Sequence, residues 1–341
     1  MRSVSNYALS LVAATLATSV AHADPIVLRF GTVAPEGTAW ARLAKSTSRA
    51  VAEATGGQVT GKWYFNGIAG NELEMAARVR KDQLDGIVSG GMLCQKLAPS
   101  MRVLRVVGLF QTRDESGYVA GRLKPVFDEE FRKAGFVNLG EVGIGPDLIF
   151  SREPIRSMQD LKRTRFWIWD LDEMFGAEWP LIGAPVVATR LDEAWRAYDH
   201  HLVDGFLAVP SAALAFQWST EARYMTDLRV SFLRSCILIA TRSFDALPLE
   251  AQQALLASSA KGMMQLEELG RSQDDALLGG LFAKQGIKPV PVSESFRSEF
   301  FATALAARDQ LPRALVDPKL LQRVLSLLAD FRAEHRNAEG R

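Results

Sequence analysis

The sequence has few of the side chains on which most enzymes and metalloproteins depend. Among 341 residues there are four histidines and two cysteines. The chain contains no His-Glu-x-x-His, no Cys-x-x-Cys and no phosphate-cradling glycine loop. His200 and His201 are adjacent on a predicted helix, so their side chains diverge and cannot easily share a metal. We therefore expect no enzymatic activity, no bound metal and no cofactor.

Clustered basic charge is missing as well. The chain has 40 lysines and arginines against 39 aspartates and glutamates, which leaves a formal net charge of +1. A nucleic-acid-binding surface needs basic residues concentrated on one face. The balanced composition therefore argues against a nucleic-acid partner.

The N-terminus has the features of a secretory signal peptide. Arg2 supplies a positive start, residues 7–20 are mostly apolar, and Ala21-His22-Ala23 fits the small-x-small cleavage rule. The apolar run is short for a membrane span, which makes an N-terminal anchor helix the weaker alternative. We expect a signal peptide over residues 1–23 and a mature protein that begins at Asp24 in the periplasm.

The two cysteines leave two alternatives open. Cys94 and Cys236 could form a disulfide in an oxidising compartment. They could equally remain buried free thiols, which behave as small hydrophobic side chains. A disulfide requires a short Cα separation, and the sequence does not supply that distance.

The rest of the chain reads as an α/β protein. Strand and helix patterns alternate from residue 26 to residue 88, which is typical of a parallel sheet flanked by helices. Removal of 23 residues from 341 leaves 318, a large number for a single hydrophobic core. We therefore predict two lobes.

A weak internal repeat supports the two-lobe prediction. Residues 83–91 read QLDGIVSGG and residues 202–210 read LVDGFLAVP. In each, a helix ends at an Asp-Gly turn and a short strand follows. Open parallel sheets bind ligands beyond the carboxyl ends of their strands. This places residues 89–91 on one wall of a cleft and residues 208–210 on the other.

Several segments, in this order and spacing, resemble the extracytoplasmic solute-binding proteins of tripartite ATP-independent periplasmic (TRAP) transporters. They are LRFGTVAPEGTAWARLAK at 28–45, WYFNGIAGNELEMAARVRKDQLDG at 63–86, SREPIRSMQDLK at 151–162, LKRTRFWIWD at 161–170 and LVDG at 202–205. The resemblance implies a two-lobed periplasmic binding protein fold with a ligand cleft between mainly parallel sheets. It also implies that closure traps the ligand for delivery to membrane permease subunits, driven by a cation gradient.

The lobe boundaries that we predict follow from this resemblance. Lobe I comprises residues 24–146 and about 231–275, and lobe II comprises residues 147–230 and about 276–341.

The chain departs from the family pattern where the ligand is held. The family's strand of the type LKGLKIRV carries an arginine that grips a carboxylate, and Trp167 occupies that position here. A second arginine of some members aligns with Asp147, and a ligand-facing glutamate aligns with Gly90. The loop after the first strand offers Val33 and Ala34 instead of a polar side chain.

These replacements predict an uncharged or largely apolar ligand. A carboxylate in a dry cleft must be paired, and tryptophan has one N–H donor and a large apolar face where arginine has a planar fork. Asp147 would also repel an anion. The candidate ligand-binding residues are Trp167, Trp169, Val33, Ala34, Ser89, Gly90, Asp147, Phe206, Ala208, Val209 and Arg165.

Three alternatives remain. Arg165, on the same strand face as Trp167, could bind a carboxylate. Tryptophans beside acidic residues could bind an amine by cation–π contact. In a different functional class, the protein could be an interaction or sensor protein, or a lipid carrier that works with an accessory periplasmic protein.

Overall fold

A computed structural model describes residues 24–339 of the chain, with side chains described for residues 24–336. The predicted signal peptide therefore lies outside the described residues. Nine strands form one sheet. They are β1 (Ile26–Thr32), β2 (Val59–Tyr64), β3 (Gly86–Ser89), β4 (Phe136–Ser151), β5 (Phe166–Trp169), β6 (Val186–Thr189), β7 (Gly205–Ala208), β8 (Tyr224–Ala240) and β9 (Lys288–Val290).

Thirteen α-helices accompany these strands in the described part of the chain. They are α1 (Ala39–Ala54), α2 (Glu72–Arg80), α3 (Met92–Leu97), α4 (Arg113–Lys133), α5 (Met158–Arg163), α6 (Glu173–Ile182), α7 (Ala194–Asp199), α8 (Pro210–Ala215), α9 (Thr241–Asp245), α10 (Leu249–Ala276), α11 (Phe282–Lys284), α12 (Glu294–Arg308) and α13 (Pro318–Glu339). A 3₁₀ segment, Pro99–Arg105, precedes α4. None of the helices that the structure describes has both the length and the apolar character needed to cross a membrane.

The sheet has two halves joined by two long strands. Its strand order is β2-β1-β3-β8-β4-β7-β5-β6, with β9 beside β8. Strands β1, β2 and β3 pair in parallel at one end, and β5, β6 and β7 do so at the other. The antiparallel pair β4 and β8 runs through both halves. The α/β prediction is confirmed, and the crossing strands bring the carboxyl ends of both parallel sets towards the middle.

Local signals explain how the first helices begin. The Thr38 side chain accepts a hydrogen bond from the amide of Ala41 and caps α1. Asn71 caps α2, and Glu74 accepts a hydrogen bond from the Asn71 amide, which completes a capping box. These caps satisfy amide groups that have no partner within the helix.

The internal repeat is visible as a duplicated ion pair. In the first half, Arg29 donates from Nε and Nη2 to the two carboxylate oxygens of Asp85, over 2.7 and 3.2 Å. In the second half, Arg165 does the same to Asp204 over 2.7 and 2.9 Å. Each arginine directly precedes a phenylalanine of its strand, and that phenylalanine pairs with the glycine that follows the aspartate. The same device therefore fixes the same pair of parallel strands in both halves.

The last two helices pack on different halves of the sheet. We predicted that residues from about 276 to 341 belong to lobe II, and α12 packs on α5 and α6 of the second half. Helix α13 packs on α4 and on the 3₁₀ segment, and Val324 and Leu328 join the first-half core. The lobe boundaries stay predictions.

Cys94 and Cys236 form a disulfide in the structure, with Cα atoms 6.0 Å apart. Both residues are fully buried. The bond ties α3 to β8 beside Ser89, the last residue of β3, which pairs with Cys236. Of the two alternatives that the sequence leaves open, the structure takes the disulfide.

Candidate functional site

A cavity of about 160 Å³ lies where the inner ends of β1 and β3 face those of β5 and β7. It is lined by 26 residues, of which six have side chains that are polar or charged when tryptophan is counted as apolar. Nine of the eleven candidate ligand-binding residues line it: Val33, Ala34, Ser89, Gly90, Asp147, Trp167, Trp169, Ala208 and Val209.

The other two candidates lie elsewhere. Phe206 stacks on Phe150, with ring centroids 5.1 Å apart, and packs edge-on against Trp218 behind the cavity wall. Arg165 stays a predicted ligand residue, but it does not line the cavity. The reason is its bidentate pair with Asp204, supported by a 2.8 Å bond from Nη2 to the His201 carbonyl.

Trp167 presents an apolar surface to the cavity. Its Nε1 donates to Oγ1 of Thr189 over 2.8 Å. Its ring packs at an angle on Trp218, with centroids 5.0 Å apart, and the residue is buried. Because tryptophan has a single donor, this bond leaves Trp167 nothing polar to offer a ligand.

One cation lines this cavity among the described residues, and it already has anionic partners. Arg105 ends the 3₁₀ segment and donates from Nη1 to Asp147 and from Nη2 to Asp172, the latter over 2.8 Å. It also lies over the Phe175 ring, 3.8 Å from the centroid. Ser231 donates to Asp147 over 2.6 Å. A buried guanidinium held by two carboxylates has little capacity left to bind a third.

The charges of this triad depend on burial. Burial raises the pKa of Asp147, against the opposing effects of Arg105 and Ser231. Burial acts to lower the pKa of Arg105, but the two carboxylates outweigh it and the pKa is raised. With all three groups ionised, the triad carries one net negative charge. The reason we gave for Asp147, direct repulsion of an anion, is therefore incomplete, because Arg105 neutralises it and Asp172 supplies the excess charge.

The backbone amides at the end of β3 are also occupied. Glu72 is completely buried beneath them and accepts hydrogen bonds from the amides of Gly90 and Leu93 and from Oγ of Ser89. Burial raises the pKa of Glu72, and these three donors oppose the rise. Amides at the start of a helix commonly bind anions. Here an internal carboxylate already fills that role.

The remaining polar side chains of the lining have partners inside the protein. Oγ1 of Thr32 accepts from the Ala34 amide, and Ser235 donates to the Ser89 carbonyl. A ligand that brought an unpaired charge into this lining would lose its hydration without a free counterpart. The arrangement suits apolar contact and carries no nucleophile–base pair among the described lining residues.

Sequence reasoning missed several lining residues. Arg105 is the most important, and its signal was its place as one of two arginines in the otherwise apolar run MRVLRVVGLF at 101–110. A charge in such a run must be paired if it is buried. Asp172 and Trp218 also line the cavity and were not among the candidate residues. Phe175 and Phe216 had no distinguishing signal.

A two-lobed α/β fold with its cavity between the two sets of strand ends defines a solute-binding protein. The chain belongs to the family described as bacterial extracellular solute-binding protein family 7 (DctP), whose model matches residues 30–311. This confirms the TRAP receptor resemblance. Receptors of this family bind small organic solutes and work with membrane permease subunits, and they are not enzymes.

Individual relatives are distant in sequence and close in fold. A solute-binding protein of Sulfitobacter sp. strain NAS-14.1 is 25% identical over 270 residues, which cover 78% of this chain and 81% of that protein. A sugar acid binding protein of Advenella mimigardefordensis in complex with galactonate has a TM-score of 0.83 at 16% identity, covering 90% and 98% of the two chains. A TRAP periplasmic solute-binding protein of Xanthobacter autotrophicus with bound β-D-galacturonate has a TM-score of 0.79 at 21% identity, covering 89% and 99%.

Proposed function

We propose that this TRAP receptor captures an uncharged, largely apolar organic ligand in the periplasm. The observation that carries the proposal is that both terminal nitrogens of Arg105 are already paired, Nη1 with Asp147 and Nη2 with Asp172. Without a free guanidinium, a ligand carboxylate would stay unpaired in a dry site, at a cost of several kcal/mol. Apolar contact with Trp167, Trp169 and Trp218 needs no such partner.

The predicted export fits a disulfide between Cys94 and Cys236. Disulfides persist in oxidising compartments such as the bacterial periplasm and are rare in the cytosol. In this proposal, the signal peptide over residues 1–23 directs the export of the protein to the periplasm.

Binding proceeds by hinge closure in this proposal. The first half contributes Ser89 and Gly90 to the cavity, and the second half contributes Trp167 and Ala208. A ligand that contacts both walls only when they approach shifts the population towards the closed form. The closed form then docks on the permease.

An amine is the second candidate ligand. The triad of Arg105, Asp147 and Asp172 carries a net negative charge when ionised, and aromatic faces surround it. A cation over a tryptophan face gains about 0.5–2 kcal/mol.

The sugar acids bound by the two structural relatives above make an organic acid the third ligand to test.

The apolar lining also gives the accessory-protein alternative a physical basis. Transfer of an apolar ligand from a dry cavity into water is unfavourable, so direct transfer to a partner protein would be favoured. Chemical crosslinking in intact cells, followed by identification of the crosslinked proteins, tests this. Permease subunits alone would remove the alternative, and a periplasmic protein would support it.

Calorimetric titration of the mature protein with three compact probes distinguishes the ligand classes. We expect 4-methylphenol, which is neutral, to bind, and galacturonate, an anion, not to bind. Choline binding in place of 4-methylphenol would favour the amine candidate.

Two variants test the role of the tryptophan in the cavity wall. Trp167→Ala should abolish the binding of 4-methylphenol. Trp195→Ala changes a tryptophan that is 48% exposed and outside the cavity lining, and it should leave this binding unchanged.

A further inference from the structure

A second, smaller cavity of about 80 Å³ lies between α1, α10 and the first half of the sheet. Its lining is mainly apolar, with Phe30, Leu43, Val51, Phe65, Leu255 and Met263 among the residues that form it. Gly262 allows α10 to come close to α1 at one end, because a Cβ there would lie 2.6 Å from Oγ1 of Thr47.

The second cavity shares a wall with the first. Five residues line both: Thr32, Ala34, Trp40, Val88 and Leu266. They come from β1 and the loop after it, from α1, from β3 and from α10, so the junction is built by four separate elements. The two cavities are therefore adjacent, and Trp40 of α1 contributes to the wall of both.

The polar groups along the second cavity are few and uncharged. They are Nε1 of Trp63 and the hydroxyls of Thr32, Thr47, Ser48 and Ser259. Nε1 of Trp63 donates to Oγ of Ser48 over 2.8 Å, which satisfies its single donor. No charged side chain belongs to this lining among the described residues. Apolar cavities of this kind stay dry and accept apolar molecules.

We propose that the second cavity binds the apolar tail of the transported ligand. The ligand class is then an elongated amphiphile, with a compact uncharged head between the tryptophans of the first cavity and a hydrocarbon tail that passes Trp40 to lie under α1. This inference rests on the proposed function, because it takes the first cavity as the site of the head. Burial of each tail methylene contributes to affinity in proportion to the apolar area removed from water.

The test uses a series of neutral 4-alkylphenols with methyl, propyl and pentyl tails. Binding of each to the mature protein is measured by calorimetry. In the unmodified protein we expect the dissociation constant to fall by about fourfold for each added methylene. The methyl compound reports on the head site, and the dependence on length reports on the tail site.

Two variants separate a specific tail site from general partitioning. Ala44 faces only the second cavity, so Ala44→Leu should fill it and remove most of the gain with length while 4-methylphenol still binds as before. Ala50→Leu makes the same change on the exposed face of the same helix and should keep the full gain. Ser259→Leu reaches the cavity from α10 and provides the same reading if Ala44→Leu does not fold.

The outcomes are distinct. Binding of all three phenols with no gain in length, or a gain that Ala44→Leu and Ser259→Leu leave intact, would overturn the tail site and leave the head site standing. Failure of all three phenols to bind would overturn the proposed neutral-ligand function and the tail site with it. A length dependence that is lost in both filled variants and kept in Ala50→Leu supports the inference.

Discussion

Nη2 of Arg105 donates a 2.8 Å hydrogen bond to Oδ2 of Asp172, and the same aspartate accepts from the Phe175 amide through Oδ1 over 3.0 Å. Asp172 thus caps α6 and holds the arginine of the cavity wall at once. This double role fixes the position of Arg105 from the second half of the molecule. It explains why an arginine in a ligand cavity is unavailable to a ligand.

Removal of the arginine should destabilise the fold. Arg105→Met leaves Asp147 and Asp172 buried without their partner, and we expect the free energy of unfolding to fall by about 3–5 kcal/mol. Arg165→Met breaks a bidentate pair that is largely exposed and should cost about 1 kcal/mol or less. Urea unfolding of both variants measures the difference. Equal losses would show that the buried ion pairs of Arg105 contribute no more to the free energy of unfolding than the exposed pair of Arg165.

Restoring the family arginine should not by itself restore acid binding. In Trp167→Arg, the aspartates still supply two negative charges against the two arginines of the wall, so no cationic excess is left for galacturonate. The double variant Trp167→Arg/Asp147→Asn removes one of those charges and should bind galacturonate by calorimetry. Binding by the single variant would show that Asp147 and Asp172 do not exclude anions.

The disulfide should contribute strongly to stability. It closes a loop of 142 residues in sequence between Cys94 and Cys236. Loss of such a long cross-link typically costs about 2–5 kcal/mol. We expect Cys94→Ala/Cys236→Ala to unfold at lower urea concentration than the oxidised protein, and reductant to affect only the latter. A thiol count of two on the purified, denatured but unreduced protein would contradict the bond.

Glu178 should make stability depend on pH. This glutamate of α6 is completely buried, and burial raises its pKa to about 8, against the hydrogen bond that its Oε2 accepts from the Val107 amide. The unfolded chain releases the proton near pH 4.5, so the folded state holds more protons between about pH 4.5 and 8. The free energy of unfolding should therefore fall as pH rises through this window. The fall should be a few kcal/mol, set by the difference between the pKa of Glu178 in the folded and unfolded states.

The matched variant for that prediction is Glu178→Gln, which cannot titrate. Its urea midpoint should change less between pH 5 and 8 than that of the unmodified protein. Parallel curves for the two proteins would mean that Glu178 does not carry the pH dependence.

Much of the fold could be predicted because its signals are local. The capping box of Asn71 and Glu74 and the Asp-Gly turns at 85–86 and 204–205 are short-range patterns with a physical cause. The pairing of β4 with β8 was not predictable in the same way. Its register shifts in three places, between residues 138 and 140, 143 and 145, and 147 and 149, and these depend on contacts distant in sequence.

The site was predictable only in part for the same reason. The family resemblance pointed to Trp167, and strand ends pointed to Ser89 and Ala208. The partners of Arg105 lie 42 and 67 residues away in sequence. A single charged residue does not reveal which carboxylates will pair with it, so the pairing of Arg105 with two aspartates could be seen only in the folded chain.

The central claim is that the cavity excludes charged acids and holds a neutral ligand. Native mass spectrometry of the freshly purified protein, followed by denaturation and identification of the released molecule, tests it most directly. We predict a neutral organic molecule with an apolar tail. A released sugar acid or dicarboxylate would contradict the account and would mean that Arg105 exchanges an internal aspartate for the ligand.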